Sequence, residues 1–233
     1  MSQPIIDNEK IDKAILNESD PKSMMTIKSS AINADMLQLY MQAVYGVTVN
    51  SIKPSTSFDR HMEEVLSREM LRLAVNDTNM RIVLGLKQIP KSIVKMDIAK
   101  GFAVSSDHCV LVKHCRSGLL PHLEEEGVEH PYVREASVLA RLFNDSSVNM
   151  TVSIILMFTN AEDEEDKYAI HRTRVNVKAY GQFIAKMSLL QEAILSGQEP
   201  DRCAETWNGS KCQNYCDFGP NGLNICDKAH RNK

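Results

Sequence analysis

The sequence predicts an α+β domain, a mixed α/β core in which a central mixed sheet is flanked by helices, with a small cysteine-rich metal-binding tail. Three observations carry this. Apolar, largely β-branched runs at Ile93–Ile98, Cys109–Lys113 and Met150–Phe158 have the length and composition of sheet strands. Between and around them, apolar residues recur at helical spacing. Four of the six cysteines, Cys203, Cys212, Cys216 and Cys226, crowd into the C-terminal end of a 233-residue chain. The order is helices, strands, helix, strands, helix, tail, with no internal repeat. It divides into a polar arm at 1–25, a core at 26–200 and the tail at 201–233.

In chain order, the arm holds Asn, Asp, Glu and Lys throughout and carries no assigned function. Ser29 or Ser30 can cap a helix whose apolar positions are Ile32, Met36, Leu39, Tyr40, Ala43 and Val44, and Gly46 can end it. A loop is expected at 54–57. Asp59 then caps a second helix with Met62, Val65, Leu66, Met70 and Leu73 on one face. A strand is expected over 80–86, followed by two more that contain Asp97 and Lys113. Their short connections predict antiparallel pairing. Residues 116–131 read as an acidic loop, Val133–Phe143 as a short helix, and 168–177 as a further strand. Tyr180, Phe183, Ile184, Met187, Leu190 and Ile194 form the clearest helical stripe, closed by Gly197.

Asp97 and Lys113 stand out because a charge inside an apolar strand is costly to bury unless it is paired or binds a metal. The alternative is that both stand at strand ends and face water. The net charge of −3 presents no overall basic field, although a local basic groove would be masked by the acidic stretches at 124–126 and 162–166. Arg172, Arg174 and Lys178 alternate along one strand face, where they could track phosphates or simply meet solvent. No apolar run reaches the length of a membrane span, and the first residues lack the pattern of a signal peptide. The expectation is a soluble, cytoplasmic protein with no membrane association. In such a compartment, clustered cysteines argue for metal ligation before disulfides. Four thiolates suit zinc or an iron–sulfur cluster, with His230 as a spare ligand. Cys109 and Cys115 read as core thiols.

Five segments in order are Ile27-Lys28-Ser29-Ser30, Phe58–Glu64 with His61, Val94–Ile98 with Asp97, Leu111-Val112-Lys113, and the helix bearing Glu135. Gly197–Pro200 and the cysteines follow. In order and spacing these resemble the RecB-like branch of the PD-(D/E)XK nucleases, which includes CRISPR-adaptation nucleases and many phage exonucleases. The resemblance implies a restriction-endonuclease-like fold and a DNA substrate. It also implies Mg²⁺ or Mn²⁺ at Asp97, Lys113 supporting the attacking water, His61 assisting, Glu135 in the site, and an iron–sulfur cluster or zinc on the tail cysteines. For a phage-encoded member the compartment would be the host cytoplasm.

One departure bears on the chemistry. Where the family has its second metal-binding carboxylate, this chain has Leu111. Asp107 is about 13 Å away along the same strand and cannot replace it. Glu64 or Glu135 could reach the site from a helix. The sequence thus leaves a DNA nuclease, a non-catalytic DNA-binding relative and a zinc-stabilised viral or phage structural protein all open. Protein partners or a homo-oligomer are compatible with each.

Overall fold

The computed structural model describes residues 25–34, 36–45, 54–115, 119–144, 149–158 and 167–200. The arm and the four tail cysteines, Cys203, Cys212, Cys216 and Cys226, therefore lie outside the described residues. The elements are β1 (Thr26–Lys28), α1 (Met36–Tyr45), α2 (Pro54–Val75), β2 (Arg81–Gln88), β3 (Lys95–Val104) and β4 (His108–Cys115), followed by α3 (Leu119–Glu126), α4 (Pro131–Phe143), β5 (Thr151–Phe158), β6 (Tyr168–Arg174) and α5 (Val177–Ser196). Among the described residues no helix is long and apolar enough to cross a membrane.

Six strands form one mixed sheet in the order β1-β3-β4-β5-β6, with β2 also on β3. The expected antiparallel pairing holds for β2–β3 and β3–β4, while β1–β3 and β4–β5 are parallel. The β4–β5 crossover is long enough to contain α3 and α4, as a parallel connection requires.

β3 determines where the sheet opens. Its residues 95–97 pair with β1, but only Ala103 and Val104 pair with β4. Since β2 pairs with β3 at both ends, β1 and β4 must share its other edge in tandem. Between the pairs Val83–Phe102 and Gly85–Ile98, β2 advances two residues while β3 advances four. This bulge bends the strand. Gly101 occupies it with φ of 87°, a left-handed conformation that favours glycine.

Each face of the sheet has its own core. On one side, α2 places Leu71 and Val75 over Ala103, Val110, Val112 and Ile155. On the other, α1, α4 and α5 cover Met96, Ile98, Phe102, Cys109, Leu111, Ile154 and Leu156. Strand β4 is buried on both faces, and its side chains alternate between the two cores. Ser137 links two helices: its hydroxyl donates to Val133 O on α4 at 2.6 Å and accepts from Asn176 N at 2.8 Å. The Asn176 side chain in turn caps α5 by accepting from Lys178 N and Ala179 N. Gly197, with φ of 67°, ends that helix as expected.

Four local expectations are corrected. The 54–57 loop is the first turn of α2, where Pro54 forfeits an N–H that would have no intrahelical partner. Ser29 and Ser30 open a 3₁₀ turn, Ser29–Asn33, instead of capping a continuous helix. The acidic loop at 116–131 contains α3 and a 3₁₀ turn. β6 stops at Arg174, because Val175 and Asn176 turn inward to start α5.

Gly101→Ala is expected to destabilise the fold by about 1–3 kcal/mol, because the backbone is left-handed there. The added Cβ would also stand 3.0 Å from Leu71 Cδ2 and 3.1 Å from Leu84 Cδ2. Urea unfolding with an unchanged slope would verify it.

A charged cavity at the fork of the sheet

A cavity of about 270 Å³ opens where β3 and β4 diverge. Its walls include Lys28, Asp97, Lys100, Leu111, Lys113 and Glu135, with Glu63 and Glu64 contributed by α2. Three of the residues expected to form a site, Asp97, Lys113 and Glu135, thus line one space. They reach it from β3, β4 and α4, over a sequence span of nearly forty residues. His61 lies in α2, but its side chain is outside the described residues.

Lys113 and Glu135 form the most enclosed polar contact. Lys113 Nζ donates to Glu135 Oε2 at 2.6 Å, with side-chain exposures of 10% and 3%. The same ammonium lies 5.1 Å from the centre of the Tyr132 ring. Alternation along β4 explains the geometry: Cys109, Leu111 and Lys113 face α4, whose inward side carries Glu135 among Val133, Ala136 and Leu139. Neither Lys113 nor Asp97 is a strand-end residue facing water, since the first is buried and the second half-buried.

Asp97 differs from the other acids of the cavity. Glu63 pairs with Lys100 at 2.7 Å, Glu64 with Arg68 at 3.8 Å and Glu135 with Lys113. Among the described residues Asp97 has no ion pair within that range. Burial pushes its pKa above the usual aspartate value, against the pull of Lys28, and Glu64 raises it further. Lys28 stands directly across the β1–β3 ladder from it. Glu64, not Glu135, is therefore the second carboxylate whose charge Asp97 feels.

Sequence reasoning missed Glu63, Lys100 and His114. Lys100 sits in the β3 bulge, which no period-2 pattern announces. His114 is half-buried beside the Glu63–Lys100 pair. Burial lowers its pKa, nearby Lys100 lowers it further, and Glu63 opposes both. Its Nε2 is buried with no partner among the described residues. Cys109 is a core thiol as expected, pushed up to about 12 by burial. Cys115 is half-buried against the same core.

The donor set at this site suits a hard divalent cation, because carboxylate oxygens are its preferred ligands. Among the described residues no three His, Cys, Asp or Glu side chains converge closely enough to hold a metal by themselves. A Mg²⁺-type ion held by one or two carboxylates, with water and phosphate completing its shell, needs no such cluster.

No family model matches the sequence, and no curated protein is significantly similar to it. Solved structures do resemble it. LHK-Exo, an alkaline exonuclease from Laribacter hongkongensis, in complex with dAMP, aligns over 78% of this chain and 94% of its own at 12% identity, with a TM-score of 0.51. A protein named SSO0001 aligns over 97% of this chain and 98% of its own at 14% identity, with a TM-score of 0.50. At these identities the likeness is one of fold. The chain thus shares its fold with an alkaline exonuclease.

Two outcomes follow from the electrostatics. Removing one partner of the buried pair, as in Glu135→Leu, leaves a buried ammonium uncompensated and should cost about 3–5 kcal/mol. The double change Lys113→Met/Glu135→Leu should recover most of that loss, as a denaturation double-mutant cycle would reveal. Asp97→Asn should stabilise the metal-free protein. A carboxyl whose folded pKa is raised opposes folding once ionised, so the advantage is absent below the unfolded value. It grows as pH rises through the folded pKa and persists at neutral pH. Melting temperatures in EDTA across this range would show it.

Proposed function

We propose that the chain is a metal-dependent DNA nuclease of the RecB-like PD-(D/E)XK branch, in which a helix supplies the carboxylate missing from the strand. The observation that carries this reading is the convergence of Asp97, Glu64, Lys113 and Glu135 on one cavity of a nuclease-like fold. The dAMP complex of LHK-Exo, a protein similar in fold, supports a nucleotide-bearing substrate.

In this reading Asp97 and Glu64 would hold Mg²⁺ or Mn²⁺. Such an ion would supply Lewis-acid polarisation of a phosphate and a more acidic water. Lys113 orients that water and offsets charge developing on the phosphate, while Glu135 fixes the direction of the ammonium. Lys28 and Lys100 supply further positive charge facing the substrate. Leu111, buried to 2% exposure, closes the apolar floor. His61, one turn before Glu64 on α2, would assist from the same helix. The tail cysteines Cys203, Cys212, Cys216 and Cys226 are assigned to zinc or an iron–sulfur cluster, which metal analysis of anaerobically purified protein tests. The proposed setting is the cytoplasm, or a host cytoplasm if the chain is phage-encoded.

A second reading is a non-catalytic DNA-binding relative. Leu111 favours it, because the strand position that usually holds an acid is filled by core.

Linear single- and double-stranded DNA incubated with Mg²⁺ or Mn²⁺ separates the two. Cleavage by the wild type is expected, abolished by Asp97→Ala and reduced at least about a hundredfold by Glu64→Gln or Lys113→Ala. Intact DNA with a folded wild type that still binds it would instead establish the second reading.

A further inference from the structure

The outer strand of the sheet has a face that none of the described residues covers. In β6, Tyr168, Ile170, Arg172 and Arg174 are all exposed, the first two at 56% and 46%. The register places them beside Met157, Ile155, Ser153 and Thr151 of β5, hence on the face that α2 covers over β3 and β4. α2 stops short of them. Among the described residues neither guanidinium group has a hydrogen bond or ion pair. The row therefore consists of two unpaired guanidinium groups followed by an aliphatic and an aromatic side chain, on a chain whose net charge is −3.

We propose that this row is a track for a single DNA strand leading to the cavity, an inference that rests on the nuclease reading above. Three features point to that occupant. First, alternate residues of a strand project about 6.7 Å apart, close to the spacing of successive phosphates on an extended nucleic-acid strand, so Arg172 and Arg174 can each take one phosphate. Second, Tyr168 and Ile170 continue the row as an apolar platform, and an exposed ring beside cations is how proteins hold unpaired bases without reading sequence. Charges alone would be explained by protection of a free sheet edge, but that purpose is poorly served by exposed Tyr and Ile. Third, the row has a direction. Through β5, Tyr168 is in register with His114, and Arg174 with His108. The aromatic end thus lies two strands, about 10 Å, from the end of β4 that carries Lys113.

Binding to a fluorescein-labelled oligo-dT 20-mer, with full-length protein in EDTA so that cleavage cannot intervene, tests the track. Arg172→Ala/Arg174→Ala should weaken binding about ten- to a hundredfold at low salt and reduce the log–log salt slope by about 1.4, two phosphates' worth for a single strand. Tyr168→Ala should weaken binding about tenfold with the salt slope unchanged. Arg172→Lys/Arg174→Lys should restore the slope. All four side chains are exposed, and a thermal melt confirms that each variant is folded. Wild-type affinity and slope in the double-alanine variant would overturn the track and leave the nuclease reading intact. So would a change in oligomeric state on size exclusion with DNA binding unaltered, which would make this face a contact between copies. If the wild type neither binds nor cleaves DNA, the nuclease reading itself has failed.

Discussion

The constraint on which this structure depends is the inability of β3 to pair with β4 along its length. Backbone donors and acceptors in a buried sheet must find partners, and β3 solves this by changing neighbours: β1 serves residues 95–97, and β4 takes only the far end. The bulge with Gly101 makes the change possible by bending the strand away from β4. The result is an opening within the sheet, against which helices from both faces can set polar side chains. Asp97 enters it from β3, Glu63 and Glu64 from α2, and Glu135 from α4 on the opposite side. Without the divergence, Lys113 and Asp97 would belong to two separate cores.

Charge within the opening is arranged by degree of enclosure. The deepest pair, Lys113–Glu135, is excluded from solvent, so its attraction is weakly screened while each partner depends on the other. Lys100–Glu63 and Arg68–Glu64 are nearer water and contribute correspondingly less to stability. Asp97 remains without an ion pair among the described residues, in surroundings that disfavour its charge. A group left in that condition in the resting protein is held at a cost to folding, which a cationic ligand would offset.

Much of this was legible in the sequence. The strands around Asp97 and Lys113, the α5 stripe and its Gly197 cap follow from periodicity and turn chemistry, because burial of one face imposes those patterns directly. The start of α2 was missed because Pro54 and three hydroxyl residues resemble a loop, although proline suits a first helical turn. Helix α3 was hidden by its acidic residues, whose charge says nothing against helix formation. The site was half legible. Asp97 and Lys113 betrayed themselves as charges in apolar strands, whereas Glu63 and Lys100 lie in a helix and a bulge where charge is unremarked. Their proximity depends on how β3 bends, which local composition does not encode.

Leu111 can be weighed against Glu135 on physical grounds. Leu111 belongs to the core that α4 covers, and Lys113, two residues on, faces the same helix. A carboxylate at 111 would enter that enclosed space beside Glu135, and two acids competing for one ammonium would force a proton onto one of them. One acid beside Lys113 is what the space accommodates, and Glu135 already takes that place. An apolar pair of similar volume would hold β4 to α4 as well or better, since burying the two charges costs about as much as their attraction returns. Folding alone therefore gives no reason for Lys113 and Glu135. A directed ammonium at the wall of a cavity that also holds an aspartate with no ion pair among the described residues does give one.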